Sequence, residues 1–129
     1  MTSKGNAPAT RPIPDWETLR PRVTDTLLTE ITRRIVEKFH PYQIVLFGSY
    51  AAGRPGPESD VDLLVIMDSD EPMAKRIRRV LEVAKVRFLP MDVIVRTPEE
   101  IAERLAMGDF FLTDILEKGK VLYHRESGC

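Results

Sequence analysis

The chain is nearly devoid of cysteine. Its single thiol, Cys129, is the last residue, which excludes an intramolecular disulfide and any single-chain zinc site built on thiolates. Long apolar runs are also missing. No stretch approaches the roughly 18 consecutive apolar residues of a membrane helix, and the first residues carry no signal-type apolar core. Aromatic residues make up only 7% and are not interleaved with basic ones as in single-strand nucleic-acid binders. Nor does charge of one sign dominate. The 19 Lys and Arg against 20 Asp and Glu leave a formal net charge of -1, so no chain-wide attraction to nucleic acid is expected. These absences together lead to the expectation of a cytoplasmic protein that neither enters a membrane nor binds nucleic acid directly.

What is present is an apolar fraction of 43% in 129 residues, enough for one hydrophobic core. Residues 1–14, with Gly5, Pro8, Pro12 and Pro14, read as a flexible tail. A domain is expected over 15–124, followed by a short tail at 125–129. Leu19, Val23, Leu27, Ile31, Ile35 and Phe39 recur every fourth residue and predict a helix, with Pro21 in its first turn and Pro41 as its stop. Gln43 to Phe47, Val61 to Met67 and Met91 to Arg96 are short β-branched apolar runs and read as buried strands. Met73, Ile77, Val80, Leu81, Ala84 and Phe88 predict a helix between the second and third strands. Thr97-Pro98-Glu99-Glu100 is a capping-box helix start. Two short helices then separate near Gly108-Asp109, and Lys120 to Tyr123 reads as an edge strand. The expected fold is α+β (α/β-like): a small mixed sheet with helices packed on one face.

Three features of this pattern carry chemistry. Asp60 and Asp62 lie two apart at the start of a strand, so both carboxylates project from one face. Like charges held close resist ionisation unless a cation compensates, and an oxygen-rich pair suits Mg²⁺ or Mn²⁺. Asp92 interrupts the third apolar run, where an acid needs a partner or a metal. If the second and third strands are neighbours, all three acids reach one point. Gly48-Ser49 directly follows the first strand, and Tyr50-Ala51-Ala52 would form one helical turn. Its free backbone N–H groups, with the Ser49 hydroxyl, make a phosphate cradle. Alone, the acid pair would also fit a solvated strand end, and Gly-Ser an ordinary turn. Ten residues between Ser49 and Asp60 make a loop able to bring cradle and acids together.

Leu46-Phe47-Gly48-Ser49-Tyr50-Ala51-Ala52-Gly53-Arg54, followed by Ser59-Asp60-Val61-Asp62-Leu63-Leu64-Val65, resembles the signature of polymerase-beta-type nucleotidyltransferases. It is most similar to their minimal single-domain branch, the MNT proteins. The resemblance implies that Asp60, Asp62 and Asp92 ligate two Mg²⁺ ions around a nucleoside triphosphate and carry catalysis. It implies that Gly48 and Ser49 bind the β and γ phosphates. Tyr50 reads first as a packing residue, yet lies close enough to the cradle to touch nucleotide, and Arg54 is a further candidate nucleotide contact. Such proteins commonly have Arg where this chain has Ala52. Arg54 then either supplies a displaced positive charge or remains a solvated loop cation.

The same resemblance implies transfer of AMP from ATP to a hydroxyl of a partner protein. In the minimal branch that partner is often a helical HEPN toxin, with the MNT protein as antitoxin. No segment reads as an acceptor domain, so a partner or a second copy (a homo-oligomer) is expected to complete the site. A non-catalytic module that neutralises a HEPN protein by contact is the alternative. A small-molecule nucleotidyltransferase of the aminoglycoside-modifying kind is the third. Lys75, Arg76, Arg78, Arg79, Lys85 and Arg87 read as the solvated face of an amphipathic helix.

Overall fold

A computed structural model of the chain describes residues 20–56 and 59–126. The residues read as an N-terminal tail, and the last three of the C-terminal tail, lie outside them. Four helices and four strands follow in the order α1 (Asp25–Phe39), β1 (Gln43–Phe47), β2 (Val61–Ile66), α2 (Met73–Ala84), β3 (Met91–Arg96), α3 (Pro98–Ala106), α4 (Phe110–Lys118) and β4 (Lys120–His124). None of the helices is long and apolar enough to cross a membrane.

The first helix starts later than its apolar spacing predicts. Thr24 is the N-cap, its hydroxyl accepting from Leu27 N–H, and Asp25 lies in the first turn. Pro21 therefore precedes the helix instead of opening it. A capping side chain outweighs periodicity where apolar residues merely happen to continue the register. Leu28, Ile31 and Ile35 form the buried stripe, and the helix ends at His40 in the left-handed conformation (φ 50°) before Pro41.

The sheet is ordered β3-β2-β1-β4. β1 pairs antiparallel with both β2 and β4, whereas β2 and β3 run parallel. The central strands are buried on both faces, which explains their unbroken apolar sequence. On one face Ile44, Leu46, Leu63 and Val65 pack with Ile31 and Ile35 of α1 and Val80 of α2. On the other, Val45, Leu64 and Ile66 meet Leu112 and Ile115 of α4. The α+β class with a mixed sheet holds, but helices cover both faces, not one. The opposite parity of the strands is as apolar as the first and needs its own cover.

Two further expectations are corrected. The second helix stops at Ala84, and Phe88 lies beyond it with φ 63° in a turn closed by the Val86–Leu89 bridge. Arg76 is not part of a solvated face. It is 7% exposed, and its guanidinium donates to Glu100 at 2.7 Å and to the Glu71 carbonyl at 2.8 Å. Glu100 also closes the capping box with Thr97, so one carboxylate fixes the start of α3 and ties it to α2.

The Arg76 guanidinium is the largest influence on the Glu100 carboxyl and, with a lesser contribution from the Thr97 N–H, holds it below its ordinary value against burial, the second-largest influence, which acts the other way. A carboxyl depressed in the folded state stabilises above its unfolded pKa and loses that contribution as pH falls through the folded one. Glu100→Gln should therefore be less stable than the wild type at pH 7, with the gap closing as pH falls below the ordinary glutamate value near 4.5. Urea denaturation at both pH values checks this.

Candidate active site

The second residues of β2 and β3 set the site. Asp62 faces Asp92 across the parallel pair and Phe47 across the antiparallel pair, so all three side chains leave the same face of the sheet. Asp60, two residues before Asp62, shares that face by alternation. It is the face covered by α4, because Leu64 and Ile66 have the same parity. Asp60 and Asp92 are exposed at the sheet's end, whereas Asp62 is half-buried. Burial first, then the Asp92 and Asp60 charges, push the Asp62 carboxyl above the ordinary aspartate value.

Gly48 closes the other side of Asp62. A Cβ built on it would lie 2.3 Å from Asp62 Oδ2, and its φ is +77°. Both the close approach and the backbone conformation require glycine. After it the chain makes one helical turn. Ala52 N–H donates to Gly48 O at 3.1 Å, Gly53 N–H to Tyr50 O at 3.3 Å, and Arg54 N–H to Ser49 O at 3.0 Å. The last two bonds, with Gly53 at φ +74°, are a Schellman closure. Among the described residues, no N–H of Ser49, Tyr50 or Ala51 closes a bond within this turn. These groups, with the Ser49 hydroxyl, are available to an anion beside the acids.

The carboxylates are coupled but not gathered. Among the described residues no three His, Cys, Asp or Glu side chains are close enough to enclose an ion unaided. Uncompensated acids repel. Mg²⁺, moreover, characteristically takes one or two carboxylates and completes its shell with water and substrate phosphate. The donor chemistry, the raised Asp62 carboxyl and the glycine left without a Cβ against Oδ2 all suit such an ion.

Tyr50 is partly buried and packs against the core cluster that includes residues of α1 and α2, while its backbone N–H belongs to the cradle. Arg54 is exposed at the exit of the turn. The structure also adds residues that carry no motif. Arg20 donates to the Ser59 carbonyl, securing the approach to Asp60. A pocket of about 290 Å³ opens on the other side of the turn, where Gly48, Ala51 and Ala52 face Phe111, Asp114, Ile115 and Lys118 of α4. The Phe111 ring meets Phe47 edge to face at 6.0 Å. Nothing in the helical spacing of α4 marked it as a site wall. Only the parity of Phe47 with Asp62 hints that α4 must lie near the acids.

Gly48→Ala should cost about 1–2 kcal/mol from backbone conformation alone, plus the contact with Asp62. In an Asp62→Ala background only the second part should be recovered, as a positive coupling in a denaturant double-mutant cycle. Additive losses would contradict the close approach. Separately, Mg²⁺ or Mn²⁺ should raise the melting temperature of the wild type more than that of Asp62→Asn, read by differential scanning fluorimetry.

Comparison with known proteins places this geometry. A family model described as "Nucleotidyltransferase domain" matches residues 28–122, from α1 through β4. A "Putative protein adenylyltransferase" of Methanocaldococcus jannaschii is 32% identical over 83 residues, covering 63% of this chain and 77% of that one. A second protein of the same name and organism is 34% identical over 53 residues, 41% of this chain and 52% of its own length. In fold the chain is similar to the crystal structure of "a putative nucleotidyltransferase from Sulfolobus solfataricus", with a TM-score of 0.56 and 21% identity over 81% of this chain and 83% of that one. The chain belongs to the nucleotidyltransferase domain family.

Proposed function

We propose that this protein transfers a nucleoside monophosphate, AMP from ATP, to a hydroxyl of a partner protein in a Mg²⁺-dependent reaction. The observation that carries this is the juxtaposition of Asp62 with Asp92 on one side and Gly48 on the other. It sets acidic metal ligands directly beside a phosphate-binding turn. The choice of a protein acceptor is supported by the relatives named as protein adenylyltransferases. It is also supported by large apolar side chains left exposed around the start of α4: Met107 is 72% and Phe110 88% exposed, and Phe111, which lines the pocket, 60%.

Asp60, Asp62 and Asp92 would hold the metal. When bound, two ions supply charge neutralisation at the nucleophile and at the departing pyrophosphate. The chain's own groups do the rest. N–H groups of the Gly48 turn and the Ser49 hydroxyl hold the β and γ phosphates, fixing the α-phosphorus over the acids. The acceptor oxygen forms a bond to that phosphorus, the bond to the bridging β-phosphate oxygen breaks, and pyrophosphate leaves. Asp92, exposed at the end of β3, orients the acceptor hydroxyl and takes its proton. We further assign the acceptor to a helical partner of the HEPN kind, with this chain as the antitoxin.

Incubation with α-labelled ATP, Mg²⁺ and such a partner should transfer label to the partner. Asp60→Asn, Asp62→Asn and Asp92→Asn should each reduce the rate by more than about a hundredfold, beyond the 10–100-fold typical of losing a metal's outer-shell support. Transfer that survives these substitutions would refute the site. Tight partner binding with no transfer by the wild type would instead identify a non-catalytic neutralising module.

A further inference from the structure

We infer that Lys118 is the residue that recognises the terminal phosphate and makes the site select a nucleoside triphosphate over a diphosphate. This rests on the nucleotidyltransferase function proposed above and names a residue that no motif in the sequence marks. The strand order works as a ruler. On the face bearing the acids, Asp92 of β3 is followed by Asp62 of β2, then Phe47 and the Gly48 turn at the end of β1, then the junction of α4 with β4. From β2 to β4 is two strand spacings, roughly 10 Å, a distance comparable with an extended triphosphate. With the α-phosphorus over the acids and the β and γ phosphates on the Gly48 turn, the outer oxygens of the γ-phosphate face the pocket that this turn shares with α4.

Among the described residues lining that pocket, Lys118 is the cation. Ala52, across from it, contributes only a methyl group, and the remaining walls are apolar apart from Asp114. Lys118 Nζ pairs with Asp114 Oδ1 at 2.9 Å. This contact, the largest cause of the shift, raises the lysine's pKa and keeps it charged. Both side chains are largely exposed, Lys118 at 78% and Asp114 at 59%, so the pair is weak and readily exchanged for a phosphate. The exposure also means that replacing Lys118 leaves the core untouched.

The test is calorimetric binding of α,β-methylene nucleoside triphosphates and diphosphates in Mg²⁺, using the base that the wild type binds best. The wild type should prefer triphosphate about tenfold, the scale of one hydrogen bond to a charged group. Lys118→Met should abolish that preference while leaving diphosphate affinity unchanged. Lys118→Arg should keep it, and adding Ala52→Arg to Lys118→Met should restore it by returning a cation to the same pocket. Persistence of the preference in Lys118→Met, or equal weakening of both nucleotides, would overturn the assignment. A wild-type protein that binds neither nucleotide would overturn the transferase function instead.

Discussion

The structure turns on a carboxylate placed where a sheet wants an apolar side chain. β2 has a hydrogen-bonded neighbour on each edge and buries both of its faces. Asp62 is its second residue, and it shares a face with Leu64 and Ile66. It is partly desolvated, stands beside Asp92, and lies against Gly48. Each neighbour follows from that placement. The residue at 48 must lack a Cβ, and β3 must enter at a register that sets a second acid opposite the first. The end of the sheet must stay open, because only solvent, a cation or both can offset the charge. The domain retains an arrangement unfavourable in isolation, as expected where a site, not stability, selects the residues.

Much of this was legible because strand parity is rigid. The runs Gln43–Phe47 and Met91–Arg96 gave strands with those same bounds, and two-residue alternation then fixes which acids share a face whatever the loops do. The Thr97 capping box was equally readable, since its hydrogen bonds involve only residues three apart. Non-local features were harder. Helical spacing continued past both true ends of its elements: before Thr24, where a cap intervenes, and at Phe88, where a left-handed turn does. Arg76 sat in a basic run that looked solvated, and only the return of α3 past α2 buries it against Glu100.

The wall formed by α4 was not legible for a related reason. Its apolar residues serve two purposes within nine positions. Leu112 and Ile115 seal the sheet, and Phe111 extends the same apolar surface to Phe47 at the pocket mouth. A periodicity test merges these, because both are apolar and both fall on the inward half of the helix. Gly119 shows how closely α4 is held: a Cβ there would lie 2.4 Å from Val45 Cγ1 and 2.5 Å from the Ile115 carbonyl oxygen. The end of α4 is thus drawn onto β1, one residue away from Lys118. A glycine that carries no chemistry can therefore fix where the backbone of a helix end meets the sheet.

The exposed aromatics complete the same logic. Phosphoryl chemistry gains from exclusion of water and from charges acting in a low dielectric. Asp60 and Asp92 stand in solvent. Phe110, 88% exposed, and Met107, 72% exposed, stand at and just before the start of α4, the helix whose Phe111 lines the pocket, and leaving them bare costs solubility and brings no packing. An acceptor protein seated on them would bury that surface and, by the same movement, bring its hydroxyl to the acids and displace water from them. On the proposed function, docking of the acceptor and closure of the site are one event.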